Sequence, residues 1–363
     1  LEDDFYRFQW DGAVTAAGMN PYRVAPADAA ADEALAGLAA ESGHTLDRVN
    51  HPQLRSIYPP VAHGVFAAAA AIDPFGVMGL RLVLISFDVA TAGLLLLLLR
   101  RLHLPRQWVM LWWVNPLVMT QVANGMHMDA VVSALVVAGL LAAVTHRRLA
   151  GAAALALATG AKVWPVLLAP LALRGGGPGG RQRWPAVMLY AGLSALFLSP
   201  MLLKAMGEDS GAEAYANSWI SNNLLFDLHE KLWYDLGFES TKLIVRGITT
   251  GAVGALLIAL ACRPARDGRD LVGRCMWVVA AMFLLSPTQF PWYYLWLLPL
   301  LVVRPSWALL TYTALLPLYL LHWQWPAVLW IEHGTVLALL AWEGAAAWRR
   351  RQEGKALAWS PAS

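Results

Sequence analysis

The stretch VMGLRLVLISFDVATAGLLLLLL, Val77–Leu99, decides the fold. It holds two charges, Arg81 and Asp88, in 23 residues. A bilayer core about 30 Å thick takes roughly 20 apolar residues of helix, so this segment is long enough to cross. Val272–Leu285 has the same character in a shorter run. Ala, Leu and Val dominate, and the alternation of a β-barrel strand is absent. Helices are therefore expected, because backbone groups in lipid must be bonded within their own segment.

Outward from that segment, apolar runs recur near 58–72, 108–123, 130–145, 149–173, 184–203, 243–262, 272–288, 291–303, 305–321 and 325–347. The whole chain agrees: of 363 residues, 58% are hydrophobic and 14% charged, with mean hydropathy +0.50. An average soluble domain carries roughly 25% charged residues. Disorder is excluded by the apolar content and the small net charge of +3. The long apolar runs weigh equally against a cytosolic enzyme. The expectation is an all-α polytopic transmembrane protein of about 9–12 spans with helices in its external loops. Cys262 and Cys275 flank Arg-rich loops at the edges of apolar runs and read as inert thiols rather than a disulfide framework. The chain opens at Leu1 without a Met, which leads us to expect an upstream segment, a first span, before the acidic residues that follow. No cleavable signal peptide is visible.

Basic residues orient the helices. They cluster at Arg100, Arg101, His103 and Arg106, at Arg147 and Arg148, at Arg174, Arg181 and Arg183, from Arg263 to Arg274, at Arg304, and at Arg349 to Arg351. With these in the cytoplasm, the turns facing out are about 124–129, 161–165, 204–242, 286–292 and 322–326. This parity needs 149–173 to be a hairpin bent near Lys162 and Pro165, and 58–72 to dip into the membrane rather than cross it. The expected layout is an external loop over 1–57 that follows the missing first span and carries the acidic site. A transmembrane module over 58–203, an external loop over 204–242, a second module over 243–347 and a cytoplasmic tail over 348–363 come after it. The glycine-rich run from Arg174 to Gly180 lacks the Lys-Ser/Thr ending of a phosphate-binding loop and reads as a linker.

The residues suited to chemistry fall on the outer side of this layout. Asp3, Asp4 and Asp11 lie among Phe5, Tyr6, Phe8 and Trp10. Carboxylates beside a membrane serve as a general base or hold a divalent cation, and they also simply start helices. In a helix, Asp4 and Asp11 share a face. His51, between Asn50 and Pro52, is a candidate for a phosphate or sugar hydroxyl, or an ordinary surface histidine. His127 and Asp129 occupy a short turn, where polarity is expensive; Asp129 also suits a helix N-cap. Lys162 lies alone in an apolar stretch and either pairs with an anion or snorkels to the interface. Asn222 and Asn223, with Tyr215 and Trp219, combine amides and rings as carbohydrate sites do, and as a loop resting on a membrane does. Gln289, Trp292 and Tyr293 sit in an interfacial aromatic belt that carries two prolines. His322 and Trp323 extend that rim.

Taken in order, Asp3-Asp4-x-Tyr6-Arg7-x-x-Trp10-Asp11-Gly12, Asn20-Pro21-Tyr22, His51-Pro52, Tyr58-Pro59-Pro60, Asn115-Pro116, Gly125-x-His127-x-Asp129, Lys162-x-x-Pro165 and Ser286-Pro287-x-x-x-Pro291-Trp292-Tyr293 form a pattern. It resembles the GT-C superfamily of integral-membrane glycosyltransferases, and within it the bacterial polyprenyl-phosphate-sugar-dependent, mannosyltransferase-like group. The resemblance implies a donor that is a polyprenyl-phosphate monosaccharide, with mannose as the suggested sugar, and a glycolipid or glycan acceptor. It implies inverting transfer on the extracytoplasmic face of a bacterial plasma membrane. It makes Asp4, with Asp3 beside it, the general base, and Asp11 a weaker candidate. Lys162 and His127 would hold the donor phosphate, and Asp129 a second polar contact. Metal dependence is open, with magnesium or manganese as the cations to consider, and no nucleic acid is implied. Two readings from other classes compete: a transporter or flippase of lipid-linked sugars, and an assembly or polymerase-like factor for cell-wall glycans. The absence of a visible repeat and the clustering of polar residues on one face favour the enzyme.

Overall fold

The computed structural model describes residues 3–174, 183–203 and 210–352, without the side chains of residues 212, 216–218 and 351. Most of the glycine-rich linker, residues 204–209 of the external loop, and the end of the basic tail lie outside the described residues. Among those described there is no strand; the one extended pairing is an isolated parallel bridge between Ser221 and Thr288. The protein is all-α and polytopic, as its composition requires.

Among the described residues, three helices are long and apolar enough to cross a membrane singly: α3 (Val77–Arg101), α6 (Arg183–Leu202) and α7 (Thr241–Ala261). Their outer faces carry Met78, Leu82 and Val89 on α3, Trp184, Met188 and Leu196 on α6, and Leu243 and Ile258 on α7, all exposed. Apolar surface of this extent is a liability in water and ordinary against lipid. The remaining apolar runs of the sequence are interrupted. Pro116–Asn124 and α4 (Asp129–Val144) form one pair bent by 120°. α2 (Pro60–Ile72) has 13 residues and α5 (Arg148–Ala161) has 14. At 1.5 Å per residue each rises about 20 Å, short of a bilayer core. The expected tally of about 9–12 spans thus corresponds to three or four full crossings plus broken segments.

Two of the breaks are sequence-encoded. α5 ends at Ala161, and Lys162 is fully extended (φ −155°, ψ 139°) before the short helix Trp164–Leu168, which has Pro165 in its first turn. Proline lacks the N–H that would continue the α-helix, so the helix breaks here. At the other break, Met126 adopts φ 54°, a left-handed conformation that is costly for a side chain of its size.

α1 (Asp4–Ala16) is buried from Arg7 to Val14, so it has two packed sides. Phe8 stacks on Phe66 of α2 at 4.6 Å and joins the main core. Trp10 and Val14, four apart and therefore on one stripe, belong to a second small core with Ala29, Leu35 and Val49. Gly12 makes the α1–α2 approach possible: a Cβ there would lie 2.5 Å from the Phe66 carbonyl oxygen. α8 (Gly268–Leu285) runs through the core with Val272, Cys275, Val278 and Val279 buried. The last helix, α9, spans Thr335–Gln352.

Candidate active site

Asp4 is the first residue of α1 and Asp3 its N-cap. Asp3 accepts a hydrogen bond from Asn50 Nδ2, which ties it to the external loop. Asp4 lies with its Oδ2 4.0 Å from His127 Nδ1, and its side chain is 33% exposed. Asp11 is on the same face two turns later, but only 2% of its side chain is exposed. One of its oxygens accepts from Arg7 Nε at 3.0 Å and the other from Ser56 Oγ, while His63 Nε2 stands 3.6 Å away. Burial pushes the Asp11 carboxyl up, but Arg7, His63 and Ser56 together outweigh that and hold it below its ordinary value. Asp11 is thus occupied by the protein, where it fastens α1 to the 54–56 loop and to α2. Arg7 completes the clasp through Leu54 O at 2.9 Å.

His127 is delivered by the bend. Gly125 is required beside it, because a Cβ at 125 would come within 2.9 Å of the imidazole. The ring is buried and stacks on Trp292 at 4.1 Å with 7° between planes, and Phe290 stacks on the other side of the same indole at 4.3 Å. Trp292 and Tyr293 come from the short helix Pro291–Trp296, which follows α8 after the Ser286–Gln289 turn.

Lys162 and Asp129 form the third part. Lys162 Nζ donates to Asp129 Oδ1 at 2.7 Å, and Trp296 Nε1 donates to the same oxygen. The ammonium stands 4.3 Å from the Tyr293 ring centre and 4.9 Å from that of Trp296. Two aromatic rings and one carboxylate therefore surround the ammonium. Tyr215, from the helix Gly211–Ser218, donates from its hydroxyl to that of Tyr293 at 3.0 Å. Tyr58 sits on the loop before α2, outside any span. Burial first, then the Asp4 charge, push its phenol well above the ordinary value, so it stays a neutral hydrogen-bonding group.

Four segments distant in sequence thus bring Asp4, His127, Asp129, Lys162, Trp292 and Tyr293 to one end of the helical body. Other expected site residues are placed differently. Gln289 is buried, with Nε2 donating to Leu284 O and Ser286 O at 3.1 and 3.2 Å and Oε1 accepting from Tyr312 at 3.2 Å. Asn222, at φ 50°, donates to Gln289 O at 3.2 Å, and Asn223 to Pro287 O at 2.7 Å. The two asparagine amides clip the external loop to the Ser286–Gln289 turn. His51 is exposed and meets the Trp219 ring edge-on at 4.7 Å. Trp296 and Tyr58 were not singled out from sequence as site residues. Trp296 repeats a belt of aromatics that interfaces carry anyway, and Tyr58 reads as part of a Pro-rich turn. Among the described residues no three His, Cys, Asp or Glu side chains converge as a metal's ligand set.

Residues 1–174 match the family model described as alpha-(1->6)-mannopyranosyltransferase, N-terminal domain, and residues 228–320 match that described as MptB C-terminal domain. The two matches follow one another in domain order and cover about three quarters of the chain. A helical membrane body with a polar, aromatic-lined site at one end, carrying these domains, is a glycosyltransferase. The chain belongs to the alpha-(1->6)-mannopyranosyltransferase family. A search of curated proteins gives no match.

Proposed function

We propose that this protein transfers mannose from a polyprenyl-phosphate donor to a hydroxyl of a glycolipid or glycan acceptor on the extracytoplasmic face of the plasma membrane, with inversion at the anomeric carbon. The single observation that carries the reading is the pairing of an accessible carboxylate, Asp4, with a caged cation, Lys162, across the aromatic shelf His127–Trp292–Tyr293. Displacement at a sugar carbon needs a base for the incoming oxygen and positive charge for the outgoing phosphate, and these two groups are what the site offers.

In this mechanism the acceptor hydroxyl gives its proton to Asp4 as its oxygen bonds to the anomeric carbon. The bond from that carbon to the phosphate oxygen breaks, and the oxygen leaves with the electron pair. Lys162 spends one N–H on Asp129 and has two more donors for the phosphate. With both indole faces taken by His127 and Phe290, Trp292 sets the position of His127, while Tyr293 sets that of the Lys162 ammonium. No step here is routed through a divalent cation. The basic clusters gather at the opposite end: Arg269 donates to Leu102 O at 2.7 Å beside Arg100 and Arg101, and Arg263, Arg274 and Arg304 line one cavity. Their segregation supports an extracytoplasmic site. The family match favours the transferase over a transporter.

The test is a transfer assay with the purified full chain, labelled polyprenyl-phosphate mannose and a mannan or mannolipid acceptor. Labelled product with the native chain and none with Asp4→Asn is expected. Transfer that is undiminished in Asp4→Asn would overturn the base, and absence of transfer from every polyprenyl-phosphate sugar would overturn the donor.

A further inference from the structure

The end of the molecule remote from Asp4 holds a cavity of about 620 Å³ that sugar transfer does not use. It lies where α7 ends at Ala261 and α8 begins at Gly268, and its lining includes Leu260, Arg263, Asp270, Arg274, Trp277 and Arg304. α7 is an apolar span with 11% of its window buried inside the protein, so lipid surrounds most of it. Ile258, one turn from its end, is exposed. A cavity at the tip of such a helix sits at headgroup depth. The exposed Trp277 at its edge is the side chain that interfaces select.

The three arginines are not equivalent. Arg274 is fully engaged: it donates to Leu260 O at 2.8 Å, to the carbonyls of Arg263 and Pro264, and pairs with Asp270 at 2.8 Å. That pair neutralises the one acid of the lining. The side chains of Arg263 and Arg304 have no hydrogen-bond or ion-pair partner among the described residues. The Arg304 side chain rests over Gly273, which leaves its guanidinium beside the cavity. Two uncompensated guanidinium groups, an apolar wall and an indole at the lipid boundary form a specific kind of receptor. Guanidinium forks bind phosphate oxygens in pairs, and the wall takes the start of an acyl chain.

We infer that this cavity binds the phosphate headgroup of an anionic membrane lipid. The inference rests on the membrane-spanning reading of α7 and α8, and is independent of the donor and acceptor proposed above. α8 has 18 residues and rises about 27 Å. Its far end leads into the turn that carries Trp292, so the lipid site and the sugar site lie at opposite membrane surfaces.

The experiment uses the full chain, delipidated in uncharged detergent, titrated with phosphatidylglycerol or phosphatidylcholine, and read by native mass spectrometry and by melting temperature. Phosphatidylglycerol is expected to bind and raise the melting temperature, phosphatidylcholine to do neither. The double variant Arg263→Gln, Arg304→Gln is expected to weaken phosphatidylglycerol binding about tenfold. Arg349→Gln with Arg350→Gln, at positions that do not line the cavity, should leave it intact. Equal binding of the two lipids, or full binding by the Arg263/Arg304 variant, would overturn the inference. So would inorganic phosphate or glycerol phosphate matching the lipid at equal concentration, which would make the ligand a soluble anion. Binding is read without any sugar donor, so its failure and the failure of mannosyl transfer are separate results.

Discussion

Lys162 Nζ and Asp129 Oδ1 stand 2.7 Å apart at the two helix breaks of the N-terminal half, and the Trp296 indole donates to the same carboxylate oxygen from the C-terminal half. The indole hydrogen bond onto this ion pair therefore joins the two matched domains at the point where the donor phosphate is proposed to sit. The pair anchors the shelf and also presents a cation, so its two functions separate under mutation.

Lys162→Met removes the cation and leaves the buried Asp129 charge uncompensated. Breaking such a pair costs about 3–5 kcal/mol when both partners are buried, and about 2–4 kcal/mol is expected for a lysine that is partly exposed. The double variant with Asp129→Asn should regain much of the melting temperature and none of the donor affinity. Thermal melts in detergent and the KM for donor measure the two effects separately.

Asp4→Asn should lower kcat by about 10²- to 10⁴-fold, the usual span for a lost general base, with donor binding retained. Asp3→Asn should cost less than about tenfold, because Asp3 is tied to Asn50 rather than open to the acceptor. Equal losses in the two variants would place the base elsewhere.

Much of this site was legible in sequence for one physical reason. Charges are costly in apolar runs, so His127, Asp129 and Lys162 stand out there, and all three meet in the structure. The periodicity that put Asp4 and Asp11 on one face was also correct, since α1 is a helix. What it did not reveal was their difference. Arg7 lies within the same helix, but Ser56 and His63 come from other segments, and only the tertiary fold brings them to Asp11. Asn222 and Asn223 were read as amides suited to sugar hydroxyls; in the structure their side-chain N–H groups donate to backbone carbonyls of the 287–289 turn. A buried amide and a ligand-binding amide look alike in sequence. Among helices, the long apolar ones were plain, while the short ones became visible only as breaks in longer runs.

Trp292→Ala removes two parallel ring contacts, to His127 and to Phe290. At about 0.5–1.5 kcal/mol per aromatic pair, a stability loss of about 1–3 kcal/mol is expected, and Trp292→Phe should recover most of it. Thermal melts in detergent measure the loss.

Asp11 sets an acid limit. Its carboxyl is held below the ordinary value of 3.8. Its stabilisation is therefore fully present above that pH and is lost as pH falls through the lowered folded value. The melting temperature of Asp11→Asn should lie below that of the native chain at pH 7. The gap should close only at pH below 3.8, and a gap that closes already near neutrality would contradict the assignment.

Gly12 lets α1 meet α2 main chain to main chain, with the Phe66 carbonyl filling the space a methyl group would need. The carboxylate at the head of that helix thus takes its address from the peptide skeleton instead of from a stack of interchangeable side chains. Side chains around Asp4 can therefore change without re-aiming the proposed base, because main-chain contact sets where its helix lies.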